Sequence, residues 1–459
     1  MSKDKVLILN PPRDVSQEVK YDPKQRLRPP LDLAYLQAII KKMTPSVFVD
    51  AAAQNFTVAQ TLDLICNLNP KVIVLTSTPL DRWECPYLSI DSVFEIINKT
   101  LEKTRILCGA HGTITPEWVF KHCKPDYVVR GEPEMIVKKL VQAILSGRSV
   151  RDINGISYMD PQTKRVTHHS DALPLANLDD LPFPAYEDLD LKFYHYTSSD
   201  IPTPFTTVLA SRGCPFRCTY CFKKMMPLPY RVRKPEKIVE ELKILEKKFG
   251  VKGVFFQDLE FTISKIMVEE TCRLISKNKL KIRWGCNARA TDFSEKLMVL
   301  MKRAGCVRIN IGFESGSQTI LDNVEKLTTV EDNLNAVKIA RKLGINIGTY
   351  GLINAPGENL QTLQETAKVL VKNRLEQDLW WNVPVPYFGT KLFAQLGKHL
   401  NDWPSLSKYT GKIKTRFSPS LAKIILNFYI IRERFGGTFY LERKFWTIVI
   451  DRILRLFKK

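Results

Sequence analysis

Long apolar runs are missing from this chain. No stretch of the 459 residues reaches the roughly 18–20 apolar residues that a membrane-spanning helix needs. A targeting segment is missing too, because Met1-Ser2-Lys3-Asp4-Lys5-Val6 runs directly into a strand. Acidic side chains are scarce, 48 against 69 Lys and Arg, which leaves a net charge of +21. Ten cysteines without a secretory leader argue for a reducing cytosol and against a disulfide framework. The length suffices for two domains and a tail, and 44% hydrophobic content is ordinary for a globular protein.

Three of the cysteines carry most of the functional signal. Cys214, Cys218 and Cys221 stand in the spacing C-x3-C-x2-C within Ser211-Arg212-Gly213-Cys214-Pro215-Phe216-Arg217-Cys218-Thr219-Tyr220-Cys221. Three thiolates at this spacing can close a loop around one iron–sulfur cube, which normally takes four protein ligands. The alternatives are three core cysteines, or three ligands of a zinc site. Zinc needs a fourth Cys or His nearby, and the next cysteine is Cys272. Cys272, Cys286 and Cys306 read as small apolar core residues.

Residues 1–150 alternate apolar strands, at 5–10, 47–50, 71–78, 105–109 and 126–129, with helices at 31–42, 58–68, 90–102 and 132–146. This pattern predicts an α/β fold, a doubly wound Rossmann-like parallel sheet. Such sheets bind ligands at the carboxyl ends of their strands. That edge carries Asn10, Thr76, Ser77, Gly109, His111, Gly131 and Glu132. Residues 151–205 read as a linker, with a small hairpin from 156 and a proline-rich strap after it. Residues 206–400 repeat strand and helix six times, predicting a partial (β/α)6 barrel with the cysteine loop after its first strand. Asp258, Asn287, Arg289, Glu314 and Ser315 fall at its later strand ends.

The cysteine spacing, with aromatic Tyr220 before the third cysteine, resembles the radical S-adenosylmethionine (SAM) enzymes. The order of the N-terminal pieces, including Pro29-Pro30-Leu31-Asp32-Leu33-Ala34-Tyr35-Leu36 and Asp126-Tyr127-Val128-Val129-Arg130-Gly131-Glu132-Pro133-Glu134, resembles the cobalamin-binding domain found upstream of many of them. The resemblance implies a [4Fe-4S] cluster on Cys214, Cys218 and Cys221, with SAM chelating its open iron. It implies SAM contacts from Tyr220, Asp258, Asn287, Arg289, Glu314 and Ser315. It implies cobalamin at Asn10, Thr76, Ser77, Gly109, His111, Gly131 and Glu132. The Asp-x-His-x-x-Gly loop that ligates cobalt in some cobalamin proteins is missing, and His111 is the one histidine in a candidate ligand loop.

Residues 401–459 read as a helical, basic tail. From 404 onward, 13 Lys or Arg face three acids. Helices are expected at 419–435 and 442–459, with Trp446, Val449, Ile450 and Ile453 on an apolar side of the second. A basic amphipathic helix suits an anionic membrane surface, and packing onto the barrel is the other reading. Nucleic acid is the less favoured partner, because the aromatics belong to the apolar stripe.

The expected function is a cobalamin-dependent radical SAM enzyme. Within the family, SAM is cleaved reductively to a 5′-deoxyadenosyl radical, and an unactivated carbon is methylated. A hydrophobic or lipid substrate, a flavodoxin or ferredoxin donor, and a cytoplasmic location with contact at the inner membrane face complete the expectation. Cyclisation, ring contraction or oxidation on the same architecture is the alternative. A non-catalytic iron–sulfur protein is a third reading, which failure to cleave SAM would favour. A methylthiotransferase is disfavoured, because Cys66, Cys85, Cys108 and Cys123 share no common motif.

Overall fold

The computed structural model describes residues 5–12, 27–375, 379–396, 400–409 and 418–435. The N-terminal domain runs β1 (Val6–Asn10), α1 (Leu31–Ile40), β2 (Ser46–Asp50), α2 (Val58–Leu68), β3 (Val72–Thr76), α3 (Asp91–Lys99) and β4 (Thr104–Cys108). It continues α4 (Ala110–Ile114), α5 (Pro116–His122), β5 (Tyr127–Val129), α6 (Pro133–Ser146), β6 (Ile156–Met159) and β7 (Val166–His168). The sheet order is β2-β1-β3-β4-β5-β6-β7. The first five strands are parallel, β6 adds antiparallel to β5, and β7 adds antiparallel to β6. The hairpin expected in the linker is thus the far edge of this sheet. The strand order reverses between β1 and β3, where an open α/β sheet forms its ligand crevice.

β1 and β3 are buried on both faces, as continuous apolar strands in a helix-covered sheet should be. Alternate side chains feed two cores, Val6, Ile8, Val72 and Val74 on one face and Leu7, Leu9, Ile73 and Leu75 on the other. All ten residues of α1 are buried. The helix has no polar stripe because it touches the sheet side on one flank and the catalytic domain on the other. Between β4 and β5 the sequence reading assigns no helix, yet α4 and α5 occupy this segment. Each is too short to show a helical period, and Pro116 opens the second.

The second domain runs β8 (Phe205–Val208), β9 (Ser211–Arg212), β10 (Arg231–Val232), α7 (Pro235–Phe249), β11 (Gly253–Phe256), α8 (Lys265–Lys277), β12 (Arg283–Ala288) and α9 (Glu295–Arg303). It continues β13 (Cys306–Glu314), α10 (Gln318–Asn323), α11 (Val330–Lys342), β14 (Asn346–Leu352), α12 (Leu360–Lys372) and β15 (Leu379–Asn382). Six strands, ordered β15-β14-β13-β12-β11-β8, pair in parallel. This is the expected partial (β/α)6 barrel. Cys272, Cys286 and Cys306 are buried in its core. α13 (Lys391–Leu396), α14 (Trp403–Tyr409) and α15 (Pro419–Phe435) follow. The helix expected at 442–459 lies outside the described residues.

The inner face of the barrel sheet is crossed by the strap. Tyr196 stacks on Phe255 at 4.9 Å and accepts a hydrogen bond from Asn310 at 2.8 Å. Arg28, from the segment before α1, lies over both rings at 5.3 and 4.5 Å and donates to Gln257. Asp200 pairs with Arg308 at 3.1 Å. The close approach requires glycine. A Cβ on Gly253 would meet the Pro202 carbonyl at 2.0 Å, and one on Gly285 would meet Ile201 at 2.9 Å. Gly253→Ala is therefore expected to cost about 1–3 kcal/mol by overpacking, read as a lower denaturation midpoint of the apoprotein.

Candidate active site

β9 and β10 pair antiparallel, Arg212 opposite Arg231, and close the base of the loop from Gly213 to Tyr230. Gly213 has φ +86°, and a Cβ there would stand 3.0 Å from the carbonyl oxygens of Pro227 and Pro229. Cys214, Cys218 and Cys221 sit half-buried on this loop as free thiols. The loop is tied down by Thr219 N–H donating to Val324 at 3.0 Å and Leu392 N–H donating to Thr219 at 2.8 Å. Lys223 Nζ donates to the Cys214 carbonyl at 3.2 Å. Burial pushes the Cys214 and Cys221 thiols up, and the neighbouring cysteines add to this. An apolar pocket that penalises free thiolates stabilises them once a metal supplies charge.

Among the described residues, no three His, Cys, Asp or Glu side chains converge as ligands of one metal ion. A cube differs, because each thiolate binds a different iron. Three thiols spread around one loop fit a cube with one iron lacking a protein ligand, and a tetrahedral zinc fits them less well.

Cations and carboxylates ring the loop. Tyr220 donates to Glu314 at 2.7 Å, and Lys326 Nζ donates to the same carboxylate oxygen at 2.7 Å. Glu314 has φ +59°, a costly conformation for a residue with a side chain. Burial alone would lower the Lys326 pKa, but Glu314 and Cys218 outweigh it and hold the ammonium above its usual range. Lys326 is a residue the sequence reading missed, since a lysine after a short helix carries no motif. Arg289 is 4% exposed, its guanidinium lies 3.9 Å over the Phe216 ring, and its Nη2 has no protein partner. A buried guanidinium nitrogen without an acceptor fits an incoming carboxylate.

Other expected SAM contacts have inward partners instead. Asp258 is fully buried and accepts from Ser211 Oγ at 2.5 Å and Ala210 N–H at 3.2 Å. Ser315 Oγ contacts Thr366 Oγ1 at 2.9 Å and accepts from Ser317 N–H at 3.1 Å. Asn287 donates to the Asp258 carbonyl at 3.2 Å. The group of that strand end within electrostatic reach of Cys214 is Glu260. Thr262 Oγ1 lies 2.8 Å from Glu260 Oε1 and 2.9 Å from Asp292 Oδ2. One hydroxyl proton serves one carboxylate at a time, so this pairing favours a proton on one of the two carboxyls. Burial, then Asp292, pushes Glu260 up to about 8.

The carboxyl edge of the N-terminal sheet is internally organised. Asn10 donates to Asp50 at 2.8 Å, Thr76 to the Thr78 carbonyl at 2.9 Å, and Ser77 to the Cys108 carbonyl at 3.2 Å. Gly109 has φ +106°, and a Cβ would meet Ser77 Oγ at 2.6 Å. His111 is fully buried, with Nδ1 3.1 Å from Ser77 Oγ and Nε2 2.9 Å from the Tyr87 carbonyl. Burial pushes it down to about 3, so the imidazole is neutral and both nitrogens are engaged. His111 is a packing residue and offers no nitrogen to a metal. Gly131 (φ +89°) has open space where a Cβ would stand. Glu132, expected at the ligand edge, instead gives its carboxylate to Arg231 at 2.6 and 2.9 Å and to Leu175 N–H at 3.2 Å. The described edge therefore fits a ligand held by backbone and shape, without an imidazole on its metal.

Residues 208–370 match the model of the radical SAM superfamily. An uncharacterized methyltransferase of Pyrococcus horikoshii is 29% identical over 425 residues, 91% of this chain and 88% of its own. The anaerobic magnesium-protoporphyrin IX monomethyl ester cyclase of Rubrivivax gelatinosus is 31% identical over 379 residues, 80% of this chain and 66% of its own. Among solved structures, the radical SAM methyltransferase TsrM of Kitasatospora setae, with cobalamin and a [4Fe-4S] cluster bound, superposes with a TM-score of 0.67 at 18% identity. That match covers 86% of this chain and 75% of TsrM. Residues 208–370 are thus a radical SAM domain, and the chain shares the fold of TsrM.

Proposed function

We propose that this protein is a cobalamin-dependent radical SAM enzyme that methylates an unactivated carbon of a hydrophobic small molecule. The observation that carries this reading is the juxtaposition of the three-cysteine loop with the carboxyl edge of a Rossmann-like domain. When bound, the cluster supplies the electron that cleaves SAM, and cobalamin supplies the methyl carrier. Cys214, Cys218 and Cys221 hold the cluster. Arg289 receives the SAM carboxylate, and Lys326 and Tyr220 fix Glu314 beside it. Gly109 and Gly131 admit the corrinoid to the sheet edge, and His111 shapes the loop beneath it without ligating cobalt. A flavodoxin or ferredoxin delivers the electron.

Among the described residues no helix is long and apolar enough to cross a membrane. α15 packs Ala422 and Leu426 against Ile353, Leu363 and Ala367 of the barrel, yet leaves Leu421 and Phe428 exposed beside Lys423. This arrangement supports a peripheral contact with an anionic lipid surface.

Three outcomes are expected. Protein reconstituted anaerobically with iron, sulfide and hydroxocobalamin, then desalted, retains corrinoid absorption beside the iron–sulfur band, and Cys218→Ala loses only the latter. A cluster without corrinoid would sink the methylation reading. Arg289→Gln keeps the cluster and weakens SAM binding by about 10–100-fold, as loss of a charge-assisted pair predicts. The full chain floats with vesicles containing phosphatidylserine and not with neutral ones, and Phe428→Glu weakens this.

A further inference from the structure

Four charged side chains join the two domains in a region sealed from water. Arg212 is 1% exposed. It bonds Glu134 through both terminal nitrogens, at 2.6 and 3.2 Å, and reaches Glu132 at 3.6 Å. Arg231 grips Glu132 with the same two-pronged geometry. The rings of Tyr35 and Trp83, both from the N-terminal domain, lie 5.8 and 5.9 Å from the Arg212 guanidinium. The arginines belong to the catalytic domain; Glu132 caps the start of α6 after β5, and Glu134 lies in the first turn of that helix.

The position of the arginines is the informative part. They face each other across β9 and β10, the two strands that close the base of the cysteine loop. Like charges directly opposite on paired strands repel. Among the described residues, their ion-pair partners are the glutamates of the other domain. Arg231 also donates to the carbonyls of Pro229 at 3.0 Å and Pro227 at 3.2 Å, the same oxygens against which Gly213 is pressed. The shape of the loop base therefore depends on carboxylates that the catalytic domain does not own.

Those carboxylates stand next to the ligand edge. Gly131, directly before Glu132, donates its N–H to Thr113 Oγ1 at 3.1 Å, and Thr113 belongs to the short helix that starts after Gly109. A ligand that fixed this edge would hold Glu132 and the first turn of α6, which carries Glu134. We propose that the Glu132–Arg231 and Glu134–Arg212 pairs are a positioning device that couples ligand occupancy of the N-terminal domain to the order of the cysteine loop. The coupling is reciprocal by linkage, so an ordered cluster loop also tightens the N-terminal site. Arg212 and Arg231 act through the loop and touch no reacting atom.

This inference rests on the cobalamin reading, and its test separates the two. Full-length protein carrying its cluster, with and without hydroxocobalamin, is exposed to a ferrous chelator, and iron release is timed. Corrinoid is expected to slow release by about 5-fold or more, the low end of coupling between two sites. Glu134→Gln keeps the shape and removes the charge. It is expected to retain corrinoid after desalting and to lose most of the protection. Arg231→Lys keeps the charge without the two-pronged grip, and is expected to lose part of it. Protection unchanged in both variants overturns the proposal, as does faster release by the same factor with and without corrinoid. Wild-type release that ignores retained corrinoid overturns it while leaving the cobalamin reading intact. Failure of the wild type to retain corrinoid overturns both.

Discussion

A guanidinium taken out of water between two domains must be matched by carboxylates, and Arg212 is matched. Desolvating such an ion costs several kcal/mol, and removing one partner of a buried pair costs about 3–5 kcal/mol. Glu132, Glu134, Arg212 and Arg231 are each 8% exposed or less, so the joint cannot slide without breaking bonds that water does not replace. Buried pairs of this kind give orientation more than net stability. Here they set the carboxyl edge of one parallel sheet against that of the other. Asp32, pushed up to about 7 by burial and held at the Leu80 N–H, adds a further carboxyl to the same buried region.

The opposite boundary of the site is made by the strap. An open six-stranded sheet presents an inner face that must be filled, and Tyr196, Ile201 and Arg28 fill it. The polar ladder across β12 and β13, Asn287 to Asn310 to Arg308, lies against this floor. Arg28 is contributed by the N-terminal domain, so this domain supplies part of the floor as well as the facing edge. Trp403 closes one side. It is fully buried, donates to Thr115 at 2.7 Å, and lies 4.2 Å from the His111 ring and 5.4 Å from Phe388. The first turn of the C-terminal region is thus a wedge between the domains.

Strand and helix order was legible because buried parallel strands and amphipathic helices carry period and length. Helices α4 and α5 were not, since neither spans two turns. The three cysteines were legible as a unit because one loop must supply all of them. Individual polar contacts were less so. Asp258 and Glu260 lie two residues apart at one strand end, and only the fold shows that Asp258 serves Ser211 while Glu260 stands near Cys214. Glu132 looked like a ligand-edge residue for the same reason. A motif records that a carboxylate is needed in a turn, without recording which side of the turn it serves. Lys326 became visible only when the return of the chain after α10 brought it to Glu314.

His111 reads from the sequence as a residue that organises the loop, and its contacts agree with that role. An imidazole ligates through a free nitrogen lone pair, and a ligating ring is oriented by a bond at its other nitrogen. His111 has contacts at both nitrogens, a ring tilted at 46° against Trp403, and a burial that keeps it neutral. Freeing Nε2 would mean breaking the contact to the Tyr87 carbonyl. A corrinoid held at this edge, as proposed, would meet backbone and shape there, since both nitrogens of His111 are engaged by the protein. The relative placement of the two domains is set by several buried joints, among them the paired arginines, the tryptophan wedge and Arg28 on Gln257.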